Sequence, residues 1–333
     1  MPASQTVLPP QPSAIQKALF GPNGLRAGYR IALYILIIFA LSSAIHFVRH
    51  RFLGAPNFNP DAPMEPLSGM LSRLRGFAVG VIAALILARI EHEKWDHYGL
   101  PVRKALSRDF WAGLLWGLVS VTVVIGGLWA AGAYRIEGLA LSGMAIWKYA
   151  ALWGGMFLVV GLLEEFSLRG YLQYALASGI GFWPAAVILS GVFLSGHIGN
   201  PGENWMGLAD VFIIGMFLCF TLWRTGNLWF AVGMHATWDW GLTYLYSVPN
   251  SGTTAVGHLF NIRTQGPNWL TGGSAGPEGS IINLTFDVLV FFVFAMVYRK
   301  RKWIGMNERR VAMERNVVPS QPVVLDSSAL TTS

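Results

Sequence analysis

GLLEEFSLRGY, residues 161–171, decides how the chain is read. Glu164, Glu165 and Arg169 stand inside an apolar run that begins near residue 148. A charge at the centre of a bilayer costs about 2.5–3.5 kcal/mol on insertion scales, so three together persist where they face protein or a water-filled cavity. The rest of the composition agrees with a membrane setting. The chain has 333 residues, is 53% hydrophobic and 12% charged, and has a mean hydropathy of +0.47. A soluble protein usually carries about a quarter charged residues. The 14 Trp and 38 Gly suit membrane helices and their ends.

A spanning helix needs roughly 20 mostly apolar residues. Eight segments qualify: 29–48, 74–91, 110–133, 148–177, 183–200, 208–224, 227–246 and 281–299. The pattern predicts an all-α fold, a polytopic membrane helix bundle of about eight transmembrane helices around a polar intramembrane cavity. Residues 1–28 are Pro- and Gln-rich, lack the apolar core of a signal peptide and read as a disordered cytoplasmic tail. Residues 29–299 form the membrane domain, with a core at about 148–246. Residues 300–333, basic and then rich in Ser and Thr, read as a second disordered cytoplasmic tail. The 247–280 stretch, rich in Gly, Ser, Thr, Asn and Pro, reads as a long loop. The single cysteine, Cys219, forms no internal disulfide and sits in an apolar run as a small hydrophobe.

Lys and Arg set the orientation. Eight spans with the N-terminus inside place most of the basic residues on the same side as both tails. Arg49, Arg51, Arg73, Arg75, Arg135, Lys148 and Arg263 fall outside. The positive-inside rule therefore favours both termini in the cytoplasm. The four Arg of the first outside loop run against it. The short polar loops suit a bacterial cell membrane. Because the basic residues flank apolar runs, the net charge of +7 reads as topology and does not imply nucleic acid.

Four polar segments carry the chemistry. Glu165 and Arg169, at i and i+4, share a helix face with the acid on the favoured N-terminal side, so they are expected to pair. Glu164, rotated by roughly 100°, is left free to act. Phe193 and His197 close the fifth span, and a lone His there is more often a hydrogen-bonded core residue than a catalyst. His235 and Asp239, also at i and i+4, either bond each other, with Asp fixing the tautomer of His, or both face a substrate or metal. Asn200-Pro201-Gly202-Glu203-Asn204 reads as a helix stop that can close a cavity mouth. At ~1.5 Å per residue from the cytoplasmic turns, Glu164, His197, His235 and Asp239 lie at depths of roughly 21, 20, 12 and 18 Å, in one slab.

A carboxylate and two imidazoles in a hydrated intramembrane chamber can hydrolyse a peptide bond. Glu164 would take a proton from water, helped by His197. His235 and Asp239 would position the water or the developing oxyanion. The same four side chains match a ligand list for a divalent metal such as zinc, which would generate hydroxide. The residues alone leave both mechanisms open. Other protease types are poorly matched. His92 and His97 are five residues apart and lie in a charged loop, so the helical zinc motif is absent. The one Gly-x-Ser-x-Gly, Gly272 to Gly276, lies in the 247–280 loop and not at the strand-to-helix turn that exposes such a serine nucleophile. Asp210 lacks the flanking Gly of intramembrane aspartyl proteases, and no second such Asp is evident.

Glu164-Glu165-x-x-x-Arg169, then Phe193-x-x-x-His197, then His235-x-x-x-Asp239, on successive spans, resembles the CPBP family: type II CAAX prenyl endopeptidases and the bacteriocin-processing, abortive-infection-like proteins. The resemblance covers about residues 148–246 and includes Asn200-Pro201-Gly202. It implies an eight-helix intramembrane endopeptidase acting within the lipid bilayer on a protein or peptide substrate, membrane-anchored substrates included. It implies Glu164 as catalytic base, Glu165 and Arg169 as its support, His197 as partner of the water or metal, and His235 and Asp239 as oxyanion or ligand groups. The family's last motif often ends in Asn, so Asp239 departs from it. Two other functions use the same residues: an ion or proton relay, as in transporters, or a non-catalytic scaffold that sequesters a partner.

Overall fold

The computed structural model describes residues 13–21, 24–54 and 64–309. A short helix α1 (Ala14–Leu19) and a two-residue hairpin, β1 (Phe20–Gly21) with β2 (Gly24–Leu25), precede the bundle. The bundle is formed by α2 (Ala27–Leu53), α3 (Pro66–Glu91), α4 (Arg108–Ala130), α5 (Met144–Arg169), α6 (Tyr171–Ile180), α7 (Phe182–Ser195), α8 (Trp205–Thr225) and α9 (Trp229–Trp240). A π turn, Gly241–Leu245, continues α9, and α11 (Ile281–Val297) completes the bundle. Between α4 and α5 lies β3 (Tyr134–Leu139). It pairs antiparallel with β4 (Phe260–Thr264), and the one-turn α10 (Asn268–Thr271) follows.

All eight apolar segments are helical. Among the described residues, five helices, counting Met144–Ile180 as one, are long and apolar enough to cross a membrane, while α7 and α11 are shorter apolar helices. The protein is thus an all-α bundle with several membrane-length helices. The fourth segment is not one straight helix: it breaks at Gly170 between α5 and α6. The fifth ends at Ser195, so His197 stands in the turn after α7. The 247–280 stretch is structured, and β4 ties it to the α4–α5 connection.

The tails also depart from expectation within the described residues. Residues 13–19 form a capped helix, with the Ser13 and Gln16 side chains each accepting from the other's backbone N–H. Residues 300–309, expected to be disordered, pack on the bundle. Trp303 and Met306 are buried, and the Trp303 ring stacks on Trp223 at 5.7 Å. Arg309 Nη1 donates to the His97 carbonyl at 2.9 Å. Apolar residues inside a basic tail supply this docking. Residues 1–12 and 310–333 lie outside the described residues.

Helix α9 is the centre of the bundle. Phe230, Ala231 and Val232 are fully buried, and α4 and α5 flank the helix. Gly113 and Gly117 on α4 and Gly233 on α9 permit the α4 approach, because a Cβ at any of them would strike the partner helix's backbone. Gly161 on α5 meets the Val232 carbonyl in the same way, at 2.9 Å from a Cβ position. Close backbone packing through small residues is how helices associate where lipid removes the hydrophobic drive. By contrast α2 is peripheral: of its side chains, Arg30 and Tyr34 alone are buried.

Candidate active site

Helix α5 delivers the two glutamates to opposite duties. Glu165 is fully buried, and its Oε1 accepts from Arg169 Nη1 at 3.2 Å. The i, i+4 pair thus forms as its spacing requires. The same Oε1 also accepts from His235 Nδ1 at 2.9 Å, across the α5–α9 contact. Ionised Glu165 can only accept, so this bond places a proton on His235 Nδ1 and turns Nε2 toward the cavity. Nε2 lies 3.7 Å from Glu164 Oε2 and 3.5 Å from Asp239 Oδ2. Glu165, rather than Asp239, is therefore the hydrogen-bonded group that orients His235. Spacing at i, i+4 reveals contacts within a helix and not between helices, so this bond is not legible in the sequence.

Arg169 is held from three further directions. Its Nη2 donates to the Gly215 carbonyl at 3.3 Å, the buried Cys219 thiol lies against it, and its guanidinium covers the Phe193 ring at 4.7 Å. A Cβ at Gly215 would fall 3.3 Å from Nη2, which favours glycine there. Phe193 in turn meets the His197 ring edge-on at 4.6 Å, and His197 Nδ1 bonds the Phe193 carbonyl at 2.9 Å. This leaves Nε2 of His197 as its second ring nitrogen. One buried ion pair thus anchors α5, α9 and the turn after α7 around a shared centre.

That centre is a cavity of about 310 Å³ whose wall includes Glu164, Phe193, His197, Asn200, His235 and Asp239. The Glu164 side chain keeps 36% of its surface exposed, against 0% for Glu165. The depths measured along straight helices do not describe the geometry, given the break at Gly170 and the turn at His197. The side chains nevertheless line one chamber. Asn204 caps α8 by accepting from the Met206 and Gly207 N–H groups, which sets the stop after Pro201. Next to it, burial pushes the Glu203 carboxyl above the usual carboxylate range, against the pull of the Asn204 N–H.

The opposite wall was not foreseen. Asp210 on α8, Asp287 on α11, Glu278, Asn250 and Ser251 also line the chamber. Asn283 Nδ2 donates to Asp210 Oδ1 at 2.6 Å, and Asp287 makes a side-chain hydrogen bond to Asp210. A second Asp therefore does face Asp210, though 77 positions of sequence hid it. Glu278 accepts from Trp238 Nε1 at 3.1 Å and from the Ser251 N–H at 2.7 Å, fastening the 247–280 stretch over α9. The available signal was that Glu278 is the one carboxylate between Asp239 and Asp287.

Among the described residues, no group of three or more His, Cys, Asp or Glu is arranged to hold a metal ion. Hydrogen bonds hold Nδ1 of both rings, His235 to Glu165 and His197 to a carbonyl, and leave Nε2 of each as the open nitrogen. As placed, Glu164, His197, His235 and Asp239 do not fit a zinc-like ion. The loop histidine His97 pairs with Glu93 at 3.1 Å, away from this chamber.

No curated protein matches the chain. Residues 145–241, which carry Glu164, Glu165, Arg169, Phe193, His197, His235 and Asp239, match the Rce1-like family model, described as type II CAAX prenyl endopeptidase Rce1-like, and this match is consistent with the resemblance of the motif order to the CPBP family.

Proposed function

We propose that the protein is an intramembrane endopeptidase that hydrolyses a peptide bond with water activated by Glu164. The supporting observation is that Glu164 is the exposed member of a glutamate pair whose other member is committed to Arg169 and His235. A water in the chamber would lose a proton to Glu164 as its oxygen attacks the substrate carbonyl carbon. The tetrahedral intermediate would then expel the amine as the C–N bond breaks, and Glu164 would return the proton to the amine. His235 Nε2, beside both Glu164 and Asp239, would orient the water or the oxyanion. His197 would take the second position on the water. The substrate is a protein or peptide reaching the chamber from the bilayer. No prenyl group is required by the residues named.

The experiment compares peptides released from membranes carrying wild type or Glu164→Gln. Removing a general base lowers the rate about 10²–10⁴-fold, so the variant should release no product above background. Equal processing by both proteins sinks the proposal. The Asp210–Asp287 pair in the same wall favours one alternative, a proton relay. Proton uptake into vesicles that is lost in Asp287→Asn and kept in Glu164→Gln would select it.

A further inference from the structure

A second cavity, of about 520 Å³, lies between α2 and α3, away from the candidate active site. Its polar lining is Ser42, Ser43, His46 and Arg49 from α2, with Ser72 and Arg75 from α3. The groove is lined by the short side chains of Ser42, Ser43 and Ser72, where larger ones would interdigitate. Arg49 and Arg75 are both half-buried. Among the described residues neither has a carboxylate within ion-pair distance. Arg75 Nη2 donates to Ser72 Oγ at 3.0 Å, which draws its guanidinium back toward the start of α3, the end nearest Arg49. Two like charges thus share one groove with hydroxyl donors and no described acid. Such an arrangement is repulsive when empty and complementary when an anion enters.

We propose that this groove binds the phosphate of an anionic phospholipid. Guanidinium forks match phosphate oxygens bidentately, and basic pockets between membrane helices hold lipid headgroups. The source is lipid rather than a soluble ion because the groove opens beside exposed apolar side chains of a membrane-length helix, Phe39, Phe47 and Phe52. Helix α2 is ~40 Å long at ~1.5 Å per residue, about 10 Å longer than the hydrocarbon core. Arg49, ~6 Å from its C-terminal end, stands at headgroup depth. The assignment also gives two of the four Arg that oppose the positive-inside rule a task of their own.

Native mass spectrometry of the purified full chain, titrated with phosphatidylglycerol or phosphatidylcholine, tests it. One phosphatidylglycerol should bind preferentially, and R49Q/R75Q should weaken it at least tenfold. That follows from about 1.5 kcal/mol or more for a hydrogen bond to a charged group and 1.4 kcal/mol per tenfold. The double variant breaks no described ion pair, so it should stay folded. Ser43→Leu, which fills the groove and leaves both charges, should weaken binding as well. R51Q, outside the groove, should not. Binding that survives both groove variants, equal retention of phosphatidylcholine, or an equal loss in R51Q overturns the proposal. Displacement by inorganic phosphate at the lipid's own concentration would assign the groove to a soluble anion and overturn the lipid assignment.

Discussion

Glu165→Gln removes the charge from a fully buried carboxyl that holds two partners, Arg169 at 3.2 Å and His235 at 2.9 Å. Glu164→Gln makes the same chemical change one residue earlier, on a side chain 36% exposed. The two variants therefore separate stability from chemistry. Removing one partner of a buried ion pair costs ~3–5 kcal/mol, because the remaining charge cannot regain water. Arg169 would keep the Gly215 carbonyl and the Phe193 ring, which places the expected loss near the lower bound, ~3 kcal/mol. Glu164→Gln should stay within about 0.5 kcal/mol of wild type, as substitutions away from buried networks do. Glu165→Gln combined with Arg169→Met removes both charges. Its loss should fall short of the summed single losses by ~2–3 kcal/mol, since neither charge is then left unpaired. Equilibrium unfolding in mixed micelles, followed by tryptophan fluorescence, measures wild type, Glu164→Gln, Glu165→Gln, Arg169→Met and the double variant. Glu165→Gln as stable as Glu164→Gln, or strictly additive losses, would refute the view that one ion pair anchors the site.

Three further outcomes are expected. Asp239→Asn places an amide donor beside His235 and should keep cleavage within about tenfold of wild type. Asp239→Ala should lose ~10²–10³ in kcat on a fluorogenic peptide, the worth of one oxyanion donor, and an Ala variant as fast as wild type would remove Asp239 from the reaction. Dialysis against EDTA should change cleavage by less than about twofold, because the donor set does not fit a metal; activity lost to the chelator and restored by zinc would contradict the Glu164 water mechanism. Trp303→Ala should cost ~3–5 kcal/mol in unfolding experiments, as a buried aromatic, since Trp303 packs on Trp223 and lies 4.8 Å from Phe182. A change below about 1 kcal/mol would show that the C-terminal segment contributes little to the bundle.

What the sequence determined by itself were properties local to a helix or to the bilayer. Long apolar runs announce spanning helices because lipid tolerates no unsatisfied backbone. The i, i+4 spacing announced the Glu165–Arg169 pair because a helix places those side chains on one face. Charge inside an apolar run marked Glu164, His197, His235 and Asp239 as residues with a reason to be there. Tertiary structure alone decided which helix faces which. The Glu165–His235 bond joins residues 70 positions apart, and Asn283 reaches Asp210 across 73; no periodicity encodes either contact. The break at Gly170, the turn that frees His197 from its helix and the docking of Trp303 likewise depend on neighbours brought from elsewhere in the chain. Hydrophobic burial is non-directional, so it selects a membrane bundle without choosing partners. The choice rests on close backbone approaches, such as Gly113 against Phe230, and on pairing each buried polar group, and both exist only once the helices have met.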